Sequence, residues 1–136
     1  MYQGSPTALS RYGTVQVTTC SPGQLLVLLY DGLFQFLGEA QALLLAGERA
    51  RATERLGRSH QILEQLLVGV DPIPAPELGE HLQALYHFCM RRVLDARIHQ
   101  DPAPIAEVLK VLSPLRAAWK EVVSRQNVPL RATVTG

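Results

Sequence analysis

Charge is scarce in this chain of 136 residues: Asp, Glu, Lys and Arg make up 18%, and they nearly cancel to a formal net charge of +1. So neutral a balance supplies no field to gather nucleic acid or to hold the chain on an acidic membrane. Arg49, Arg51, Arg55 and Arg58 do form a basic stretch, but Glu48 and Glu54 interleave with it, the pattern of a solvated helix face. Cysteine is sparse. Cys20 and Cys89 lie far apart in no motif, so there is no disulfide framework to read. Cys89 sits among apolar helical residues, where a thiol acts as a small core side chain, and reduced thiols in an intracellular protein are the simpler expectation. Long hydrophobic runs are also missing. The most apolar stretch, Leu25 to Leu37, is interrupted by Tyr30, Asp31, Gly32 and Gln35, short of the roughly 18 unbroken residues of a membrane span. The opening MYQGSPTALSRYG has no apolar run behind a basic region, so neither a signal peptide nor membrane insertion is expected.

Catalytic signatures are lacking as well. There is no Gly-rich phosphate loop, no nucleophile elbow and no Cys-His arrangement that a sequence can identify. His60, His81, His87 and His99 fall in no metal-binding motif; His60 and Glu64, like Glu77 and His81, are four apart and read as helix-surface pairs. Asp31 and Asp95 could form a carboxylate pair in principle, but nothing suggests a pocket that would raise one pKa. The helical stripes lack the inward Glu and Glu-x-x-His ligands of a metal-holding bundle. The expectation is therefore a protein that is not an enzyme and carries no cofactor or metal.

What is present is helix. A hydrophobic fraction of 47% suits one folded domain of ordinary size. Residues 1–20, rich in Gly, Ser and Thr without a sustained period, read as a flexible N-terminal arm. Ser21, Pro22 and Gln24 then supply a cap, a first-turn proline and a capping-box partner. Helix one should run to about Ala46, with Gly47 as its stop. Helix two follows from about Glu48 to Val70 on Ala52, Leu56, Leu63, Leu66, Leu67 and Val70. Asp71-Pro72-Ile73-Pro74-Ala75-Pro76 cannot be helical. Helix three spans about Glu77 to His99, with Leu78, Leu82, Leu85, Cys89, Val93 and Ala96 at helical spacing. Asp101 and Pro102 repeat the start signal for helix four, striped by Ile105, Val108, Leu109, Leu112, Leu115, Trp119, Val122 and Val123. Pro114 should kink or locally break that helix, and 127–136 reads as a frayed, disordered tail. No strand pattern competes, and short connections between long helices favour an all-α, antiparallel up-down four-helix bundle over residues 21–126.

Helix one has too many apolar faces. Leu25-Leu26-Val27-Leu28-Leu29-Tyr30 points in every direction at 100° per residue. Leu25, Leu29, Phe36 and Ala40 line one stripe and Leu26, Leu33, Leu37 and Leu44 another, with Val27, Tyr30 and Phe34 partly outside both. Either the helix is central, packed by its neighbours and the arm, or it offers an apolar groove for a partner helix. Leu9 and Tyr12 are the arm residues best suited to cover such a groove, and an exposed groove could support a homodimer through arm exchange. Arg91 and Arg92 project about 100° apart; they either pair with Asp95 or bind carbonyls and carboxylates of a docked peptide.

Three blocks carry a resemblance. Val17-Thr18-Thr19-Cys20-Ser21-Pro22 followed by Leu25 and Leu28-Leu29-Tyr30-Asp31-Gly32 resembles the opening of the FliS flagellar chaperone family, V-x-T-A-S-P and then L-x-x-M-L-Y-[DE]-G. Leu85-Tyr86-His87-Phe88-Cys89-Met90-Arg91-Arg92-Val93-Leu94 is similar to its L-Y-x-Y-x-x-R-R-L segment, and Leu115-Arg116-Ala117-Ala118-Trp119 to its closing L-R-x-x-W. The blocks fall in family order between about Tyr12 and Val123. Cys20 stands for the usual Ala, Leu28 for a common Met and Phe88 for a frequent Tyr. The resemblance implies a chaperone of the bacterial cytosol that binds the C-terminal segment of flagellin, disordered in the monomer. It would prevent premature polymerisation and help deliver the subunit to a component of the flagellar type III export gate. A helical adaptor for another amphipathic helix is the alternative. By motif, Tyr12 is the arm contact, and Leu26, Tyr30, Leu33 and Leu37 are groove candidates beside the signature residues Asp31 and Gly32. Tyr86, Met90, Arg91 and Arg92 would form a second partner-binding surface. Trp119 continues the apolar stripe of helix four and reads as a core anchor rather than a client contact.

Overall fold

The computed structural model describes residues 21–135, and side chains through residue 126. The expected arm, with Leu9 and Tyr12, lies outside the described residues. Four helices follow one another: α1 (Pro22–Leu45), α2 (Arg49–Val68), α3 (Pro76–His99) and α4 (Ala103–Thr135).

Local chemistry sets most of the boundaries. At the start of α1, Gln24 N donates to Ser21 Oγ at 3.2 Å and Ser21 N donates to Gln24 Oε1 at 2.8 Å, a reciprocal capping box. The helix ends at a C-cap on Ala46, and Gly47 turns the chain with φ 78°, where a side chain would be strained. Between α2 and α3 the chain leaves the helix and bends at Ile73 and Pro74, where Ile73 N donates to Asp71 Oδ1 at 3.1 Å. Pro76, expected outside the helix, instead opens α3, where its missing amide hydrogen costs nothing. Gly79 is what lets this loop lie on α3: a Cβ there would come within 2.8 Å of Pro72 Cα. Gln100 closes α3 in the left-handed region at φ 52°, and Asp101 Oδ1 accepts from Ala103 N at 3.0 Å to open α4.

Two features of α4 differ from the periodicity-based expectation. Pro114 does not break the helix, and the chain stays helical past Gln126 to Thr135 instead of fraying. A proline removes one amide donor but need not end a helix whose remaining bonds hold. The sequence also has no glycine between Gly79 and Gly136 to stop one.

The helices close into a ring in which α1 packs on α2 and α4, and α3 packs on α2 and α4. Thr53 near the start of α2 meets Gln100 at the end of α3 at 3.4 Å, and Arg92 late in α3 meets Glu107 early in α4 at 2.9 Å. Both pairings require antiparallel neighbours, so the molecule is the up-down four-helix bundle. Its core takes Leu26, Tyr30, Leu33, Leu37 and Ala40 from α1; Leu56, Ile62, Leu63 and Leu66 from α2; Leu82, Tyr86, Cys89, Val93 and Ala96 from α3; and Ile105, Val108 and Leu112 from α4. Each fully buried Leu or Ile contributes on the order of 1.5–3 kcal/mol. Tyr30, which the pattern sets outside both stripes of helix one, is in the core, whereas Leu78 is 40% exposed.

Candidate functional site: the α1–α4 seam

The seam between α1 and α4 carries Leu26, Tyr30 and Asp31 of the side chains singled out in the sequence, with Tyr86 of α3 meeting Tyr30 beneath it. Its inner layer is polar and buried. The hydroxyls of Tyr30 and Tyr86 hydrogen-bond at 2.6 Å, with the rings edge-on at 6.5 Å between centroids. Burial pushes the Tyr30 phenol above its ordinary range, partly offset by the hydrogen bond with Tyr86 and by the neighbouring Trp119 side chain. This cluster ties α1, α3 and α4 together at one level of the bundle. Beside it Cys89 is fully buried, its thiol pushed up to about 12 by burial and then by the charge of Glu107. At neutral pH it is a protonated, inert thiol.

The next layer is ionic. Asp31 Oδ1 accepts from Arg116 Nε at 2.8 Å, lies 2.7 Å from Arg116 Nη2, and lies 3.4 Å from Lys120 Nζ. The Arg116 guanidinium also sits 4.9 Å from the centroid of the Phe34 ring, a cation–π contact. Positions 116 and 120 are one helical turn apart, so one carboxylate of α1 holds two successive turns of α4.

The outermost layer is apolar and open. Pro22, Gly23 and Leu26 of α1 and Trp119, Val122, Val123 and Gln126 of α4 line a pocket of about 280 Å³. A Cβ at Gly23 would stand 3.1 Å from Val123 Cγ2, so glycine lets the two helices approach here. With Val122 47% exposed, the pocket offers contact area for an apolar side chain and no grouping for covalent chemistry. Among the described residues no group of three or more His, Cys, Asp and Glu is placed to hold a metal ion. No helix among them is long and apolar enough to cross a membrane.

The sequence-selected residues separate into three sets. Tyr30, Leu33, Leu37 and Tyr86 are completely buried, so in this form the bundle presents none of them to a partner. Asp31 and Arg92 are partly exposed but engaged, Asp31 as above and Arg92 with Asp95 at 2.8 Å and Glu107 at 2.9 Å. Leu26 lines the pocket, Met90 packs partly buried against the core and Arg91 is exposed. Arg91 and Arg92 are thus not equivalent: the anticipated pair with Asp95 belongs to Arg92. Sequence reasoning missed Pro22, Gly23, Val122, Val123 and Gln126 as pocket residues. The available signal was the length of the helix-four stripe, which carries apolar residues well beyond Leu112, its last buried side chain. Leu94 and Ile98 fall off the stripe of helix three and are 49% and 63% exposed.

The class of protein that the fold and site define is an all-helical up-down bundle with an apolar pocket at one end of its α1–α4 seam. A model of the family described as "Flagellar protein FliS" matches residues 5–126. The flagellar secretion chaperone FliS of Salmonella typhimurium is 33% identical over 107 residues, covering 78% of this chain and 79% of that protein. The flagellar secretion chaperone FliS of Bacillus subtilis is 28% identical over 116 residues, covering 85% and 86%. A solved structure described as a flagellar chaperone from bacteria superposes with a TM-score of 0.72 over 88% of this chain and 97% of that one; at 18% identity it speaks for the fold alone. The chain belongs to the FliS family of flagellar secretion chaperones.

Proposed function

We propose that this protein is a cytoplasmic chaperone that binds the C-terminal segment of flagellin, keeps it from polymerising early and hands it to a component of the flagellar export gate. The observation that carries this reading is the family match over residues 5–126; the apolar pocket at the α1–α4 seam supplies a physical rationale. A disordered amphipathic segment gains helix only when its apolar face is covered, and an exposed pocket lined by Leu26, Trp119 and Val122 is suited to cover one anchor of that face. Met90 and Arg91, continued along α3 by the exposed Leu94 and Ile98, form the second contact surface in this reading. Tyr30, Leu33, Leu37 and Tyr86 shape that surface from beneath.

Calorimetric titration with a peptide from the C-terminal region of the host's own flagellin tests the reading. One-to-one binding with a negative heat-capacity change is expected. Folded, monomeric protein that takes up no peptide would sink the flagellin assignment and leave the bundle as it is.

A further inference from the structure

The far half of α4 is built differently from the rest of the bundle. Two successive residues disturb its backbone ladder. The Ser113 hydroxyl donates to the Leu109 carbonyl at 2.6 Å, a side-chain bond that competes with the helix and often bends it. Pro114 has no amide hydrogen, so the Lys110 carbonyl lacks its normal intrahelical donor. Beyond this point no side chain through Gln126 is buried. What holds the segment is the partial packing of Leu115 and Trp119 against the core and a short set of contacts to α1: Arg116 and Lys120 on Asp31, Arg116 over Phe34, Trp119 beside Tyr30, and Val123 beside Gly23. A weakened ladder, a low-burial segment beyond it and a polar fastening on one carboxylate together make a hinged element rather than a rigid wall.

We propose that α4 beyond Pro114 is a flap, hinged at Lys110–Pro114 and latched to α1 through Asp31, whose release widens the pocket between the two helices. The latch sits between the hinge and the pocket, so loosening it moves Trp119, Val122 and Val123 as one body away from Pro22, Gly23 and Leu26. The moving part is drawn from the low-stability end of the molecule, where local opening is expected. That the opened pocket admits flagellin rests on the function proposed above; the flap itself is tested without any client.

Trp119 is the chain's single tryptophan, so its fluorescence reports on the flap. The experiment follows acrylamide quenching of Trp119 together with amide hydrogen exchange in the wild type, Asp31→Asn and Pro114→Ala. Removing the latch charge should raise quenching and speed exchange about two- to fivefold for residues 115–126, with α2 and α3 unchanged. Pro114→Ala restores the missing donor and should shift both readouts the other way. Acceleration spread equally over all four helices in Asp31→Asn would overturn the proposal, because Asp31 would then be an ordinary stability contact. Unchanged exchange in 115–126 for Pro114→Ala would overturn it as well, since the hinge would have no role. If flap exchange responds as expected while flagellin affinity is the same in all three proteins, the flap stands and the function assigned to the pocket is what fails.

Discussion

The two halves of α4 carry the same apolar stripe and have opposite fates. Ile105, Val108 and Leu112 are buried completely against the other helices, while Leu115, Trp119 and Val123 are only partly covered and Val122 is 47% exposed. Periodicity tells which residues share a face; it does not tell whether another helix lies over that face. The buried half is governed by packing density, and the open half by a few discrete contacts to α1. Substitutions in the two halves should therefore differ in size and in what they change.

Large-to-small substitution separates them most sharply. Leu33→Ala, in the closed core, should cost about 2–5 kcal/mol in urea unfolding at pH 7. Val122→Ala removes partly solvated methyls and should stay within about 0.5 kcal/mol. Comparable losses for the two would mean that the open half is as much a part of the cooperative core as the closed one.

The buried hydroxyl pair is the next largest effect. Tyr30→Phe or Tyr86→Phe each leaves the other hydroxyl without this partner in a dry site, costing about 1–2 kcal/mol. The double variant should lose little more than either single one, because it deletes both ends of one bond. Additive losses in that double-mutant cycle would show that the 2.6 Å contact is not an energetic unit.

Much of this architecture was legible in the sequence, and the reasons divide along the same line. The capping box at Ser21, the stop at Gly47, the proline turn and the start at Asp101 are local chemistry, and all four appear where those residues put them. The stripes of α2 and α3 were readable because their apolar residues are spaced to face a core. Tyr30 and Tyr86 were harder: a phenol reads as a surface or groove residue until its hydroxyl finds a partner 56 positions away. For the same reason Leu33 and Leu37 looked like groove candidates. A helix apolar on several faces gives no hint of which face its own neighbours cover. The pocket was invisible because Pro22, read as a start signal, and the neighbouring Gly23 become walls only when Val122 and Val123 stand opposite.

Alkaline pH should loosen the core from within. The Cys89 thiol rises from an ordinary value of 9.0 to about 12 in the folded protein. A raised folded pKa means the thiol's contribution is fully present below pH 9.0 and is lost as pH climbs toward about 12, because only the unfolded chain ionises in that window. The thiol's share of stability should fall by about 1 kcal/mol between pH 9 and 10, and Tyr30, raised from an ordinary value of 10.0, begins to add its own loss toward pH 10. Urea unfolding of Cys89→Val at the two pH values should show that decline removed, and an unchanged decline would assign it to other groups.

The smallest expected effect has the opposite sign. At Gly38 in α1 and Gly57 in α2 an added Cβ would meet nothing within 4 Å, and neither residue has a positive φ. Alanine at either site should therefore add about 0.5–1 kcal/mol of stability through restricted unfolded-chain freedom and better helix propensity. The same substitution at Gly79 meets the Pro72 backbone at 2.8 Å and should destabilise the α2–α3 connection. Thermal unfolding of the three variants decides the matter. A loss of stability in Gly57→Ala would mean that something must approach α2 closely at that point in the free protein. A gain there, with a loss at Gly79, would show that glycine is required at the loop contact and is only tolerated on the helix face.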